Sequence, residues 1–341
     1  NADPTHVVLI NIHSGGYATV AAGEPDLKTT MGTAIDGMTG NSIQGYPAGT
    51  INRTNFGTAA LAQNTVSPYG MAQNRNTWNQ TATTIKSQSA YCNVAVEGSV
   101  DAVTRVLTYT AQVYYTANSP VTSNSLTVML LEDKIFGPQH NYGSPTLYNA
   151  GNYNADGSYN HNHVLRKGLT TGNFGITIPV TTAGTTFTTS GTYTIPATFG
   201  AAGKTNPCML GNIELAAFVT ETNVKTINGA YGPISITNIA SANDAGVSTL
   251  IADVETCAGN LQPTKFNLIN NGSSNMTSAT ITYSVSGGTA QVYNFSGNLA
   301  PFTQTVITLP AYSFPASATN TLSVLVTNVN GGTDQNAAND V

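Results

Sequence analysis

The chain has 341 residues, which exceeds the roughly 100–200 residues of one ordinary domain and predicts two or three domains. Only 8% of the residues are charged, and the net charge of −5 leaves too few cations to neutralise a phosphate backbone, which excludes a nucleic-acid-binding protein. No apolar run approaches the roughly 20 residues that span a bilayer, so we expect no transmembrane segment. Because the chain starts at Asn1 without a signal-like stretch, we expect a processed chain or a fragment.

Residues 1–90 have the pattern of an α/β segment. An apolar run over residues 7–12 ends at glycines, which indicates a buried strand, and residues 50–52 are a second strand candidate. Apolar spacing predicts helices over residues 27–38 and 77–89. Strands that alternate with helices indicate a sheet covered by helices.

Residues 91–235 change to period-two alternation, most clearly from Leu107 to Tyr115. Short strands separated by turns rich in Gly and Asn predict a β-sandwich domain. The further predicted strands lie at residues 126–131, 161–165, 187–195 and 213–220.

Residues 236–341 repeat this all-β pattern after a boundary segment that is poor in aromatic residues. Six or seven strands in about 95 residues are typical of an immunoglobulin-like sandwich. The predicted strands lie at residues 250–254, 265–269, 279–285, 291–295, 305–309 and 322–326. The fold class predicted for the whole chain is therefore mostly β.

The cysteines Cys92, Cys208 and Cys257 show no C-x-x-C spacing, which indicates neither a zinc site nor a redox pair. Cys92 and Cys208 lie near the first and last predicted strands of the middle domain. We predict that these two form a disulfide in an oxidising compartment, provided that their Cα atoms lie within roughly 7 Å. Three buried reduced thiols are the alternative.

Two histidines offer a candidate metal site. His161 and His163 lie two apart on a predicted strand, so both would project from one face and could bind a metal with His140 or Asp133. Asp156 belongs to a segment that resembles the opening of a calcium loop. Position twelve of that pattern is a histidine where a bidentate Glu is needed, which favours a polar turn. We predict that the chain binds no metal and no cofactor. If a metal did bind, its candidate ligands would be His161, His163 and Asp156.

No catalytic residues are predicted. Glu132 and Asp133 are adjacent on a strand, so their side chains point to opposite faces and cannot flank one bond. His13 and Ser14 lack the G-x-S-x-G elbow of a nucleophilic serine. Several tyrosines could stack against carbohydrate or could be ordinary strand residues: Tyr109, Tyr114, Tyr115, Tyr153, Tyr159 and Tyr283.

Five short motifs follow one another along the chain, and together they resemble the outer membrane protein twenty-eight family of bacterial surface proteins. This resemblance implies an extracellular or outer-membrane location and a candidate adhesin without enzymatic activity. The motifs are His13 to Tyr17, Gly45 to Gly49 with Asn52 and Arg53, Leu130 to Asp133, Gly137 to Gln139, and His161 to Arg166.

Two parts of the chain resemble further families. Residues 248–341 resemble a cell-adhesion-related domain found in bacteria, which often precedes a sorting signal for the type nine secretion system. Residues 1–90 resemble part of a thioredoxin fold, in which Tyr46 and Pro47 would form the cis-proline turn. The dithiol motif of that fold is absent, so a thiol oxidoreductase would require a dithiol upstream of Asn1.

These observations predict a structural or adhesion protein of the bacterial surface. Its expected partners are other surface proteins, glycans, and host or sister-cell surfaces. Two alternatives stay open. An incomplete sheet near Val7 could recruit a strand from another chain and build a fibre, or sandwich loops could bind a glycan or another ligand.

Overall fold

The computed structural model describes residues 3, 5–21, 24–63, 69–139, 158–222, 224–250, 261–313 and 319–339. Antiparallel β-sheets dominate the described residues, and helices are few. The chain forms two compact units, which are described separately below. The first comprises Asn1–Val100, Thr104–Cys208 and Ile213–Ser235, and the second comprises Asp101–Val103, Met209–Asn212 and Ile236–Val341.

The helices are short and precede the strands of the first unit, apart from two 3₁₀ turns. They are α1 (Thr30–Asp36), α2 (Trp78–Lys86) and the 3₁₀ helices Gly16–Ala18, Arg75–Thr77, Leu210–Asn212 and Val329–Gly331. Both α-helices fall within predicted helical segments. The Thr29 side chain accepts a hydrogen bond from the backbone N–H of Gly32 and so caps the start of α1.

The strands from residue 92 to residue 237 form two main antiparallel sheets. The first sheet has the order β13-β1-β2-β8 and the second has the order β12-β11-β3-β6, with β7 also paired to β3. The strands are β1 (Cys92–Asp101), β2 (Val106–Tyr115), β3 (Asn124–Glu132), β4 (Ile135–Gly137), β5 (Tyr159–His161), β6 (Val164–Gly168), β7 (Ile176–Ile178), β8 (Thr186–Thr194), β9 (Thr198–Phe199), β10 (Asn206–Pro207), β11 (Ile213–Glu221), β12 (Lys225–Gly232) and β13 (Ile234–Thr237).

The alternation predicted from Leu107 to Tyr115 is confirmed, because every second residue of β2 is buried. These buried side chains face the second sheet. The Tyr115 hydroxyl, for example, donates to Asn124 Oδ1 of β3 at 3.1 Å. Strand β11 likewise covers its predicted segment, and β8 covers all of its predicted segment except Ile195.

Strand β3 is buried along its whole length, because both faces of the second sheet are covered. Met31 and Ile35 of α1 pack on the outer face, against a cluster that includes Met129, Leu131 and Phe218. The N-terminal segment adds Val8, Ile10 and Ile12 to the same cluster. A strand with two buried faces favours apolar residues, as in the run from Val128 to Leu131 of β3.

The strand predicted over residues 7–12 is wrong, because this segment lies over the sheet instead of pairing within one. Only Asn11 pairs with β6, donating to His163 O at 2.7 Å and accepting from the backbone N–H of Leu165 at 3.0 Å. The hydroxyl of Tyr231 accepts from the N–H of Leu9 at 2.6 Å and donates to its carbonyl at 2.9 Å. A side chain thus takes the place of a neighbouring strand, and the incomplete sheet expected near Val7 is not formed.

The strand predicted over residues 50–52 is also wrong. Asn52 and Arg53 both have positive φ angles, of 49° and 48°, which interrupt an extended conformation. Arg53 is buried with its guanidinium 5.1 Å from the centre of the Phe218 ring. Residues 1–90 therefore have no sheet of their own among the described residues, and their thioredoxin-like identity remains a prediction. The peptide bond between Tyr46 and Pro47 is cis.

The second unit contains two main three-stranded antiparallel sheets, with the orders β14-β16-β19 and β18-β17-β21. Its strands are β14 (Ala245–Leu250), β15 (Leu261–Gln262), β16 (Lys265–Asn270), β17 (Met276–Val285), β18 (Gln291–Leu299), β19 (Thr303–Thr308), β20 (Tyr312–Ser313) and β21 (Leu322–Thr327). Phe266, Leu268, Ile281 and Val326 belong to its core. Residues 251–254 of one predicted strand lie outside the described residues, and β14 precedes them.

The predicted disulfide between Cys92 and Cys208 is wrong, because both cysteines are buried free thiols. They lie in different surroundings. Cys92 is beside Tyr115, whereas Cys208 is beside Glu132 and Arg166. Burial raises the pKa of the Cys92 thiol to about 12, as expected for a thiol in an apolar core. Cys257 lies outside the described residues.

Candidate functional site

Two polar clusters lie at the end of β3, on opposite faces of the second sheet. Glu132 points to the inner face and Asp133 to the outer face, as predicted for adjacent residues of an extended chain. Glu132 forms an ion pair with Arg166, and Asp133 contacts His163. The outer cluster is partly exposed, whereas the inner one is buried.

The outer cluster consists of Asp133, His163 and Glu214. The Nδ1 atom of His163 lies 3.4 Å from Asp133 Oδ1 and 3.3 Å from Glu214 Oε2. The backbone N–H of His163 also donates to Asp133 Oδ1 at 2.6 Å. Antiparallel pairing of β3 with both β6 and β11 brings the three residues together, because all three lie at the same end of these strands.

Tyr231 of β12 borders this cluster. Its ring stacks on the His163 ring with the centroids 5.7 Å apart, and its hydroxyl lies 3.5 Å from His163 Nδ1. The hydrogen bond with Glu214 raises the pKa of His163, because a nearby carboxylate favours the charged imidazole. Burial raises the pKa of Asp133. The arrangement has the donor atoms for a cation but no nucleophile.

The inner cluster is a buried ion pair. Arg166 Nε lies 3.1 Å from Glu132 Oε2, and the side chains are 2% and 1% exposed. A second guanidinium nitrogen of Arg166 donates to Asn206 Oδ1 at 3.0 Å, and the guanidinium carbon lies 4.3 Å from the centre of the Phe199 ring. Burial lowers the pKa of Arg166, while Glu132 opposes this shift. These contacts identify a structural pair rather than an acid and base at a substrate.

His13 and His161 form a third contact, with ring centroids 5.5 Å apart and the rings nearly perpendicular. Nδ1 of His13 is buried and has no hydrogen-bond partner among the described residues. His161 Nε2 lies 3.3 Å from the carbonyl of Pro138. Burial is the main cause that lowers the pKa of His13 to about 4, with the charges of His161 and Arg166 adding to it.

We expect acidification to destabilise the first unit through His13. The unfolded chain binds a proton near pH 6.5, whereas folded His13 stays neutral down to about 4. Stability from this group is therefore complete above pH 6.5 and declines toward pH 4, by about 3 kcal/mol in total. Urea unfolding followed by the fluorescence of Trp78, the only tryptophan, measures the decline.

His13→Asn should lose less stability than the wild type between about pH 7 and about pH 4.5. His6→Asn is the matched control, because the His6 side chain is 69% exposed. It should follow the wild type. An equal loss of stability in His13→Asn and the wild type would contradict the role of His13.

The predicted metal candidates are separated by the structure. His163 has a positive φ angle of 54° and follows the end of β5, so it does not share a strand face with His161. The interpretation that both histidines form one site is therefore wrong. Asp156 and His140 lie outside the described residues. Asp133, which was one of the expected partners, does contact His163.

Sequence reasoning missed Glu214 and Tyr231. A signal for Glu214 was present, because it is a single acidic residue near the start of the apolar run from Ile213 to Val219. Tyr231 lies near the end of β12, a strand that was not among those predicted. Among the candidate tyrosines, Tyr109, Tyr115 and Tyr283 are buried, as ordinary strand residues are, whereas Tyr114 is exposed. Tyr153 lies outside the described residues.

Comparison with known proteins supports a relationship to one family. The family model of outer membrane protein Omp28 matches residues 40–231, which are more than half of the chain. No curated protein matches the chain. Within the described residues no helix is long and apolar enough to cross a membrane.

The solved structures similar to the chain include the following three. HBP35 of Porphyromonas gingivalis is 14% identical, with a TM-score of 0.42 and coverage of 85% of this chain and 78% of its own. The alpha-2-macroglobulin of E. coli is 11% identical, with a TM-score of 0.22 and coverage of 69% and 15%. A Salmonella alpha-2-macroglobulin mutant is 9% identical, with a TM-score of 0.23 and coverage of 74% and 16%.

Proposed function

Because the chain belongs to the outer membrane protein Omp28 family, we propose that it acts at the bacterial surface as a structural and adhesion protein without catalytic activity. The observation that carries this proposal is the outer face of the first sheet. Strands β2 and β8 contribute no charged side chain to it. Glu97 of β1, which pairs with Thr110, adds a carboxylate beside them. The strip formed by β2 and β8 itself offers hydrogen bonds to another surface without charge repulsion.

The outer face is a ladder of hydroxyl and amide groups. Cross-strand pairing places Thr108 opposite Thr192 and Gln112 opposite Thr188. Thr110 Oγ1 lies 2.9 Å from Ser190 Oγ, so neighbouring hydroxyls bond to each other. A regular array of neutral donors and acceptors suits hydroxyl-rich partners such as glycans or the polar surfaces of other proteins.

We expect two lysines placed on this face to reduce adhesion at least about ten-fold, because each would bury an unpaired charge in the contact. The variant is Thr188→Lys with Thr192→Lys, both exposed positions of β8. Gln291→Lys with Asn294→Lys on exposed positions of β18 is the matched control, since it adds the same charge to the second unit. Solid-phase binding to host matrix, glycans and sister cells measures the effect.

The proposal fails if the wild-type protein binds none of these surfaces and a deletion strain attaches normally. If both lysine variants bind as well as the wild type, the protein is still an adhesion protein, but the outer face of the first sheet is not its binding site.

Self-assembly is a second candidate, favoured by β8. This nine-residue strand is the edge of its sheet and carries neither Lys nor Pro, the residues that commonly block edge pairing. Another chain could extend the sheet by strand addition. Sedimentation and negative-stain imaging separate the candidates, since monomers at high concentration would exclude a fibre.

A further inference from the structure

We propose that Asp133, His163 and Glu214 form a binding site for a divalent transition-metal cation, with zinc as the preferred ion. One imidazole nitrogen and two carboxylate oxygens converge here, and the three ligand atoms lie within 4.8 Å of one another. One nitrogen with two oxygens is a ligand set that zinc accepts. The site is distinct from the outer face of the first sheet, so it is independent of the adhesion proposal.

The spacing of the ligand atoms matches a coordinated cation better than a simple hydrogen-bonded pair. Charge-assisted hydrogen bonds between nitrogen and carboxylate oxygen are about 2.7–2.9 Å long. The two separations at His163 Nδ1 are longer, at 3.3 Å and 3.4 Å. Ligands about 2.0–2.1 Å from a tetrahedral zinc ion are about 3.3–3.4 Å from each other.

The charge balance also favours a cation. Within the described part of the chain, Asp133 and Glu214 form ion pairs with His163 and with no Lys or Arg, although the charge of the neighbouring Lys134 also acts on Asp133. Two carboxylates therefore share one imidazole. A divalent ion would neutralise both carboxylates and would leave His163 neutral, which is the form that binds metals.

Exposure and positioning complete the case. The side chains of His163, Asp133 and Glu214 are 18%, 28% and 33% exposed, so an ion can enter and water can take a fourth position. Tyr231 stacks on the His163 ring and fixes its orientation. Partners that orient a ligating histidine typically strengthen metal binding.

Calorimetric titration of the metal-free full chain with ZnCl₂ tests the proposal. We expect one zinc ion to bind with micromolar affinity and to raise Tm, because a ligand of the folded state stabilises it. Glu214→Gln should weaken this binding at least about ten-fold and reduce the Tm shift, since an amide is a poorer zinc ligand than a carboxylate. Glu97→Gln, an exposed carboxylate loss on β1, should bind zinc as the wild type does.

Circular dichroism of Glu214→Gln checks that this partly exposed substitution leaves the fold intact. X-ray absorption of the zinc complex should show one imidazole nitrogen and oxygen ligands. Failure of the wild type to bind below about 1 mM would overturn the proposal. A one-to-one complex that Glu214→Gln leaves unchanged would place the zinc elsewhere and would overturn it equally.

Discussion

Replacing Arg166 by methionine lowers the free energy of unfolding of the first unit by about 3–5 kcal/mol, because it leaves the buried carboxylate of Glu132 without its cation. The side chain of Glu132 is only 1% exposed, so water cannot take the place of the guanidinium. The substitution also removes the hydrogen bond to Asn206 and the packing on Phe199. Urea unfolding followed by Trp78 fluorescence measures the loss.

A double variant separates the unpaired charge from the lost packing. Glu132→Leu combined with Arg166→Met removes both charges, and a buried ion pair replaced by apolar residues often costs little stability. The double variant should therefore be more stable than Arg166→Met alone. Lys225→Met is the matched control, because Lys225 is 51% exposed and lies 3.8 Å from Glu221. Breaking that surface pair should cost less than about 1 kcal/mol. A stable Arg166→Met protein would contradict this interpretation of the pair.

Replacing Phe266 by alanine lowers the free energy of unfolding of the second unit by about 3–5 kcal/mol, the range found for large-to-small substitutions in protein cores. Phe266 is 1% exposed and packs among Leu268, Ile281 and Val326. Hydrogen exchange of the amides in β16 and β17, read by mass spectrometry, reports the opening free energy of this unit alone.

Val292→Ala is the control for this measurement. Val292 lies on the neighbouring strand β18 and is 60% exposed, so its truncation should change the opening free energy by less than about 0.5 kcal/mol. Equal exchange rates in Phe266→Ala and the wild type would show that β16 does not hold the core together.

Much of the β-structure could be predicted from sequence. When one face of a sheet is buried, apolar and polar residues alternate along its strands, as they do in β2 and β16. Strand β12 was missed because the six residues between its first and its last are all partly buried, so its sequence shows no clear alternation. The strand over residues 7–12 was predicted wrongly for a different reason. Its apolar residues do pack on a sheet, but hydrophobicity does not show whether the backbone pairs beside strands or lies above them.

The outer polar cluster was predictable only in part. His163 and Asp133 stood out because histidine and acidic residues are scarce in this chain. Period-two reasoning then joined His163 to His161, which required a continuous strand. The positive φ angle of His163 breaks that strand, and a local pattern does not reveal such a break. Glu214 meets His163 only through the pairing of distant strands, which a single sequence does not specify.

The attachment of Leu9 through the hydroxyl of Tyr231 makes the N-terminal segment a layer held mainly by side chains. Such a layer can lift away while the sheet beneath it stays intact, because few main-chain hydrogen bonds break. Lifting uncovers Ile10 and Ile12 together with the apolar face around Leu131. Opening of this layer would therefore expose an apolar patch that is prone to aggregation.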